Sequence, residues 1–199
     1  PTAALLLPAL KKIRPTVMLS VPLIMEKIYK AQIQAKFASN DFANMIYKTP
    51  FFRKIIHRVA GKKLIETFGG RLRFFGIGGA KLDPTVERFL HEARFPYAIG
   101  YGLTETSPLL AGASPTQTKN ESTGFAITGV KLKINEPNDQ GIGEIWAKGP
   151  NIMQGYYKNP EATSEVLVNG WFRTGDYGLL DKHNRLYIKG RMKNMIVGA

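Results

Sequence analysis

Along the first hundred residues, apolar positions change period repeatedly, from helical to extended spacing and back. A helix is predicted to end near Lys12, a β-branched strand covers Thr16 to Val21, and Leu23 to Phe37 returns to helical spacing. A second helical region runs from Phe42 to Leu64, with Thr49-Pro50 marking a break, because the residue before proline is pushed out of helical geometry. Leu72 to Ile77 reads as a buried strand running into glycines. Asp83-Pro84 then opens a helix to about Arg94, with Asp83 as N-cap and Pro84 at the first helical position. Strand, glycine turn and helix in that order are α/β grammar.

Beyond Tyr97 to Tyr101 the pattern shortens. A Ser/Thr/Pro/Asn-rich loop covers Ser114 to Thr123, and two alternating strands follow, Val130 to Ile134 and Gly143 to Ala147, separated by turn residues 137–141. Asn159-Pro160 starts a short helix to about Leu167, and Asn169-Gly170 makes a tight turn. Asp181 to Asn184 joins two last strands, Gly178 to Leu180 and Leu186 to Lys189. The chain therefore divides into an α/β portion, residues 1–113, and a β-rich portion, residues 114–199.

Composition narrows the chemistry. With 199 residues and 44% hydrophobic content the chain can bury a core. The absence of cysteine excludes disulfides, thiolate metal sites and a cysteine nucleophile, in keeping with a reducing compartment. The three histidines are scattered, without metal-ligand spacing. No run approaches the ~20 apolar residues that span a bilayer. The net charge of +13 is lopsided: residues 1–80 hold 14 Lys/Arg against 3 Asp/Glu. Such a face attracts nucleic acid, anionic lipid or phosphorylated cofactors, or is a solvated helical face whose acidic partner surface lies elsewhere.

The run Tyr101-Gly102-Leu103-Thr104-Glu105-Thr106 gathers a ring, a glycine, two hydroxyls and a carboxylate. A ring can stack on a base, a hydroxyl can donate to a phosphate oxygen, and a carboxylate can hold Mg²⁺ against phosphates. Read alone, the run is equally a strand-to-helix turn with Thr104 as N-cap. Its companions are Gly78-Gly79-Ala80-Lys81-Leu82, Gly143-Glu144-Ile145, Gly155-Tyr156-Tyr157, Trp171-Phe172-Arg173-Thr174-Gly175-Asp176 and Gly190-Arg191-Met192-Lys193. In this order the series resembles the adenylate-forming (AMP-binding) superfamily across nearly the whole chain. Val21-Pro22 running into Glu26-Lys27-Ile28-Tyr29, with the long basic helical stretch after it, resembles the long-chain fatty acid–CoA ligases (acyl-CoA synthetases) within it.

The resemblance implies a portion of the large synthetase domain, an α/β layered part followed by a distorted barrel-like subdomain. It also implies ATP-dependent conversion of a fatty acid to acyl-AMP and then to a coenzyme A thioester. By it, Gly79, Ala80 and Lys81 pass along the adenine and Tyr101 stacks on the other face, with Gly102 and Ala98 to Gly100 facing the acyl pocket, which Leu23, Ile24 and Met25 could also line. Thr104 contacts the α-phosphate, Glu105 helps hold Mg²⁺, Asp176 accepts from the ribose hydroxyls, and Arg191 pairs with ribose or phosphate. The residue-level alternatives are a core tyrosine, helix-start residues at Thr104 and Glu105, a turn aspartate and a surface arginine. The phosphate loop with its lysine is expected before Pro1 and the smaller C-terminal domain after Ala199, with Lys193 at the interdomain hinge, so the isolated chain is expected to be inactive. A cytoplasmic location, open to peripheral association with the inner face of the membrane, is the expectation. Two other readings stay open: an acyl-AMP ligase or a ligase for short or aromatic acids, and a basic nucleic-acid or membrane-surface module.

Overall fold

The computed structural model describes residues 3–31, 47 and 49–191; the predicted helical segments within 32–46, and Lys193, lie outside the described residues. Elements follow in the order α1 (Ala3–Ile13), β1 (Val17–Ser20), α2 (Pro22–Tyr29), α3 (Pro50–Thr67), β2 (Phe74–Ile77), α4 (Pro84–Glu92) and β3 (Tyr97–Ile99). The 3₁₀ turn Thr104–Thr106 comes next. After it come β4 (Ala111–Gly112), β5 (Phe125–Ala126), β6 (Lys131–Asn135), β7 (Gly143–Lys148), α5 (Pro160–Val166), β8 (Leu167–Val168), β9 (Trp171–Leu180) and β10 (Leu186–Arg191). The α/β mixture is the one the pattern predicts.

Two compact units emerge, one comprising residues 1–98 and 114–120, the other 99–113 and 121–199. In the first, β1, β2 and β3 form a three-stranded sheet in that order, with β1 parallel to β2 and Val17 opposite Phe74. Phe68, Phe75 and Phe95 pack ring against ring beneath it, and Met25, Leu64, Ile77 and Leu90 are fully buried around them. Helix α4 begins as its sequence dictates: the Asp83 carboxylate accepts from the backbone N–H of Thr85 and Val86, satisfying donors the first turn leaves open. It stops two residues short of the predicted Arg94, which adopts the left-handed conformation at φ 54°.

Between α3 and α4 lies a buried polar relay. Arg53 holds Glu92 with two hydrogen bonds at 2.8 and 3.1 Å, and His57 Nδ1 sits 2.8 Å from Glu92 Oε2. The other ring nitrogen of His57 meets the Tyr47 hydroxyl at 2.8 Å, and that hydroxyl meets Tyr29 at 3.1 Å. Desolvation dominates at His57 and lowers its pKa against the opposing pull of Glu92. At Glu92 desolvation pushes upward, but the hydrogen bond and charge of Arg53, with His57, outweigh it and leave the carboxyl below its usual value.

The second unit is a five-stranded antiparallel sheet, β10-β9-β7-β6 with β8 on β9, accompanied by the two-stranded pair β4-β5. Its core is built from Leu110, Ala111, Ile145, Ala147 and Leu186. Strand β9 begins at Trp171, well before the predicted Gly178. Alternating burial runs through the segment that the motif alone made look like a turn.

Both His57 and Glu92 bind protons more weakly folded than unfolded, so acidification must destabilise the first unit. Helical circular dichroism in urea titrations is expected to show stability falling as pH drops below about 6.5, the unperturbed histidine value, and falling further below about 4.5, that of the carboxyl. His57→Gln should flatten the first step and leave the second.

Candidate functional site

The sequence around Asp176 forces the strand out of register, and the site grows from that distortion. On one side, β9 pairs with β7 as Glu144 opposite Tyr177 and Trp146 opposite Arg173, so Thr174, Gly175 and Asp176 together face the single residue Ile145. Gly175 takes φ +69°, a conformation costly for any residue with a Cβ. The backbone groups released by the bulge find side-chain partners. Thr174 Oγ1 donates to the Ile145 carbonyl at 2.8 Å and accepts from Asp176 N–H at 3.1 Å, while Glu144 Oε1 accepts from Gly175 N–H at 3.3 Å.

On the other side, Lys189 is an extra residue in β10, between the Ile188–Gly178 and Gly190–Tyr177 pairs. Were Lys189 paired in regular register, Gly190 would stand opposite Asp176; because it is left out of the pairing, Arg191 does. Cross-strand partners share a face, and Arg191 Nε accordingly donates to Asp176 Oδ1 at 2.9 Å. The second carboxylate oxygen accepts from the Tyr101 hydroxyl at 2.8 Å. Asp176 is only 4% exposed, whereas the Arg191 side chain is 64% exposed and can reach a ligand. Burial, and then the charge of Asp176, push the Tyr101 hydroxyl far above the usual tyrosine range, so it stays protonated and donates.

Tyr101 is anchored at both ends. Its backbone bridges Ala111, and its ring packs against the buried groups around Leu110, Ala111 and Ile145. The ring expected to stack on adenine is thus half-buried in this unit's core, with its hydroxyl committed to Asp176. Gly102 has a steric role: a Cβ there would fall 1.7 Å from the Pro108 carbonyl oxygen, so chain backbone occupies the space in front of it.

Thr104 is not the N-cap of its turn. Leu103 holds that position, because the fully buried Thr106 hydroxyl accepts from Leu103 N–H at 3.0 Å and lies 2.8 Å from the Pro108 carbonyl it can donate to. Thr104 is left exposed beside Glu105, whose Oε1 accepts from the Tyr156 hydroxyl at 3.0 Å and whose carbonyl accepts from Met153 N–H at 2.8 Å. Asn151 ties the same loop down by donating to the carbonyls of Thr106 and Leu109. Gly79, Ala80 and Lys81 lie in the first unit, after β2, all exposed, with Gly79 at φ +88°.

Three contributors were not singled out as site residues by the sequence: Tyr156, Glu144 and Asn151. The first two sit inside the quoted runs Gly155-Tyr156-Tyr157 and Gly143-Glu144-Ile145, but nothing in the spacing ties them to Glu105 or Gly175. Among the described residues no three His, Cys, Asp or Glu side chains gather at metal-binding distance. That donor set suits Mg²⁺ held by one carboxylate plus phosphates and water, and does not suit an all-protein cage.

The family model for AMP-binding enzymes matches residues 1–157. Long-chain-fatty-acid–CoA ligase 1 of Schizosaccharomyces pombe is 31% identical over 92% of this chain and 30% of its own length. Long-chain-fatty-acid–CoA ligase FadD15 of Mycobacterium bovis is 32% identical over 98% of this chain and 35% of its own. The chain therefore spans about a third of the length of these relatives. Among solved structures, o-succinylbenzoate CoA synthetase of Bacillus subtilis in complex with ATP and magnesium superposes with a TM-score of 0.70 at 23% identity, covering all of this chain and 36% of that one. The ATP-bound RpMatB-BxBclM chimera B1 gives 0.72 at 23%, over 99% and 34%.

Tyr101→Phe keeps the packed ring but deprives Asp176 of a donor, so it should cost the second unit about 1.5–3 kcal/mol, the worth of a hydrogen bond to a charged group. Tyr101→Ala should cost more, about 3–5 kcal/mol, by adding a cavity. Urea unfolding followed through Trp146 and Trp171, both in this unit, reads the difference; a Tyr101→Phe variant as stable as the unmutated chain would mean that the hydroxyl contributes nothing.

Proposed function

The chain belongs to the AMP-binding enzyme family, and from that premise we propose that it is the nucleotide-binding part of an ATP-dependent long-chain fatty acid–CoA ligase. The observation that carries this reading is the convergence of three motif segments, around residues 101, 176 and 191, on one buried carboxylate. In the proposed reaction a fatty carboxylate attacks the α-phosphorus of ATP and pyrophosphate leaves; the thiol of coenzyme A then attacks the acyl carbon of the acyl-AMP, forming the thioester, losing its proton and releasing AMP. Such catalysis depends on positioning and charge neutralisation more than on proton transfer by side chains.

Each residue's part follows from its setting. Asp176, fixed by Tyr101 and Arg191, keeps further lone pairs on both oxygens, and two ribose hydroxyls could share them. Arg191, largely exposed beyond the carboxylate, offers its remaining guanidinium donors to ribose or phosphate. Exposed Thr104 offers a hydroxyl to the α-phosphate. Glu105, oriented by Tyr156, would hold Mg²⁺, which supplies charge neutralisation at the phosphates. Gly79, Ala80 and Lys81 would border the adenine.

The long-chain assignment rests on the relatives' names at modest identity; an acyl-AMP ligase, or a ligase for a short or aromatic acid, uses the same nucleotide site. A panel of acids with coenzyme A or carrier protein as acceptor, run on a complete ligase containing this chain, decides between them. Preference for C4–C8 or aromatic acids would overturn the long-chain reading while leaving the nucleotide site intact.

Asp176→Ala is expected to weaken nucleotide use roughly ten- to hundredfold, the equivalent of about 1.5–3 kcal/mol. Asp181→Ala should do little to nucleotide use, since Asp181 lies in the β9–β10 turn, accepting from His183 and Arg185 N–H and from the Tyr187 hydroxyl. Equal effects of the two on KM for ATP would remove the ribose role. Glu105→Gln should cut adenylation sharply, with partial rescue at high Mg²⁺ and a milder loss in thiolysis of supplied acyl-AMP. Superimposable Mg²⁺ curves for Glu105→Gln and the unmutated enzyme would eliminate the metal role.

A further inference from the structure

Helix α3 buries one stripe and displays another. His57, Gly61 and Leu64 face inward, and Arg53 turns to Glu92. Facing outward are Phe51, Phe52, Ile55 and Val59, which are 68, 50, 45 and 54% exposed. Residues 51, 55 and 59 recur every four positions, and Phe52 sits one helical step aside, three residues before Ile55 and seven before Val59, so the four share a face. The two phenylalanine rings meet edge to face at 5.6 Å. An outward apolar stripe beginning with two adjacent aromatic rings calls for a partner.

The charges around it narrow the choice. Lys54, Arg58, Lys62 and Lys63 are all exposed, and by helical geometry they flank or interrupt the stripe, while Glu66 is the one acid on that outer surface. The first turn of the helix carries no acid either, so its positive dipole end adds to the same field. A protein partner would have to bring matching carboxylates into an otherwise apolar contact. Duplex nucleic acid would satisfy the cations but leave Ile55 and Val59 with nothing to bury against. An anionic leaflet satisfies both sets at once, with acyl chains for the stripe and headgroups for the cations. No helix among the described residues is long and apolar enough to cross a membrane, so the contact would be interfacial.

We propose that the outer face of α3, through Phe51, Phe52, Ile55 and Val59 with Lys54, Arg58, Lys62 and Lys63, docks on the surface of an anionic lipid bilayer. The proposal is independent of the ligase reading, because its test needs neither ATP nor a fatty acid. The whole 199-residue chain is floated with vesicles of phosphatidylcholine alone and with an equimolar phosphatidylcholine–phosphatidylglycerol mixture, at low and high salt. Binding is expected only to the anionic vesicles, falling as salt rises.

Phe51→Ser with Phe52→Ser should reduce partitioning at least about tenfold, and each of Lys54→Gln and Lys62→Gln roughly fivefold, with helical circular dichroism unchanged because all four side chains are on the outer surface. Should the aromatic pair disturb folding, the two lysine variants carry the test alone. The exposed Lys131 and Lys182, which lie in the other unit, serve as the control for unspecific attraction by a basic chain. Equal losses from Lys131→Gln with Lys182→Gln would overturn the proposal. So would equal binding to neutral vesicles, no binding at all, binding indifferent to the aromatic pair, or tighter association with duplex DNA than with anionic vesicles.

Discussion

Almost everything in the second unit that bears on chemistry depends on the carboxylate of Asp176 being held from two directions. It is buried, so its charge is tolerable only with donors at both oxygens, and it has them in Tyr101 and Arg191. These donors arrive from a loop some seventy residues earlier and from the next strand. The same contacts that keep the charge stable therefore fix where the loop and strand β10 lie. The segment is therefore not an aspartate at a turn: Asp176 lies within strand β9, held in place by the same contacts that offset its burial.

A side chain buried in a sheet is normally aimed by the pleat alone, and here the pleat is broken on both sides of Asp176. Toward β7 three residues are opposed by one, and toward β10 a single extra lysine moves Arg191 into place. Each irregularity would leave backbone groups unpaired, and unpaired backbone in a sheet interior is expensive. On the β7 side the threonine hydroxyl and the Glu144 carboxylate take up that load. The run Thr-Gly-Asp thus has a local logic: a hydroxyl to patch the ladder, a glycine to take the positive φ, and the acid that results in the right place.

The legible part of this fold was whatever could be decided within a few residues. Helix α4 with its Asp83 cap, the strands β6 and β7, and the α/β order of the first unit all follow from local spacing and capping chemistry. The full length of β9 did not, because Gly175 and Asp176 carry turn propensity that the long-range pairing overrides. The cap of the 104–106 turn was misplaced for a related reason. Leu103 caps the turn because the Thr106 hydroxyl, held by the Pro108 carbonyl, accepts from its N–H, and sequence spacing does not place that carbonyl. The ordered motifs named candidate nucleotide-site residues by resemblance, but the partners that orient them, Tyr156 for Glu105 and Glu144 for the bulge, are set by tertiary folding. No single stretch of sequence carries those pairs.

Strand β9 also has an outer face, and its contents explain how so distorted a strand stays in register. Glu144 accepts from Trp146 Nε1 at 2.8 Å and from Arg173 Nε at 3.2 Å, and Lys133 lies over the rings of both Trp146 and Trp171, 4.4 and 4.7 Å from their centroids. These groups come from β6, β7 and β9, so they bind the three strands together just beyond the bulge. Slippage of β9 by one residue would exchange its faces, carrying Asp176 outward and Arg173 into the core. The cation–aromatic cluster penalises that exchange on the outside as the Tyr101–Asp176–Arg191 contacts penalise it on the inside. Because the strand is pinned on both faces, the bulge can persist without the register becoming ambiguous, and a buried carboxylate can be held at the one position where a loop tyrosine and a cross-strand arginine both reach it.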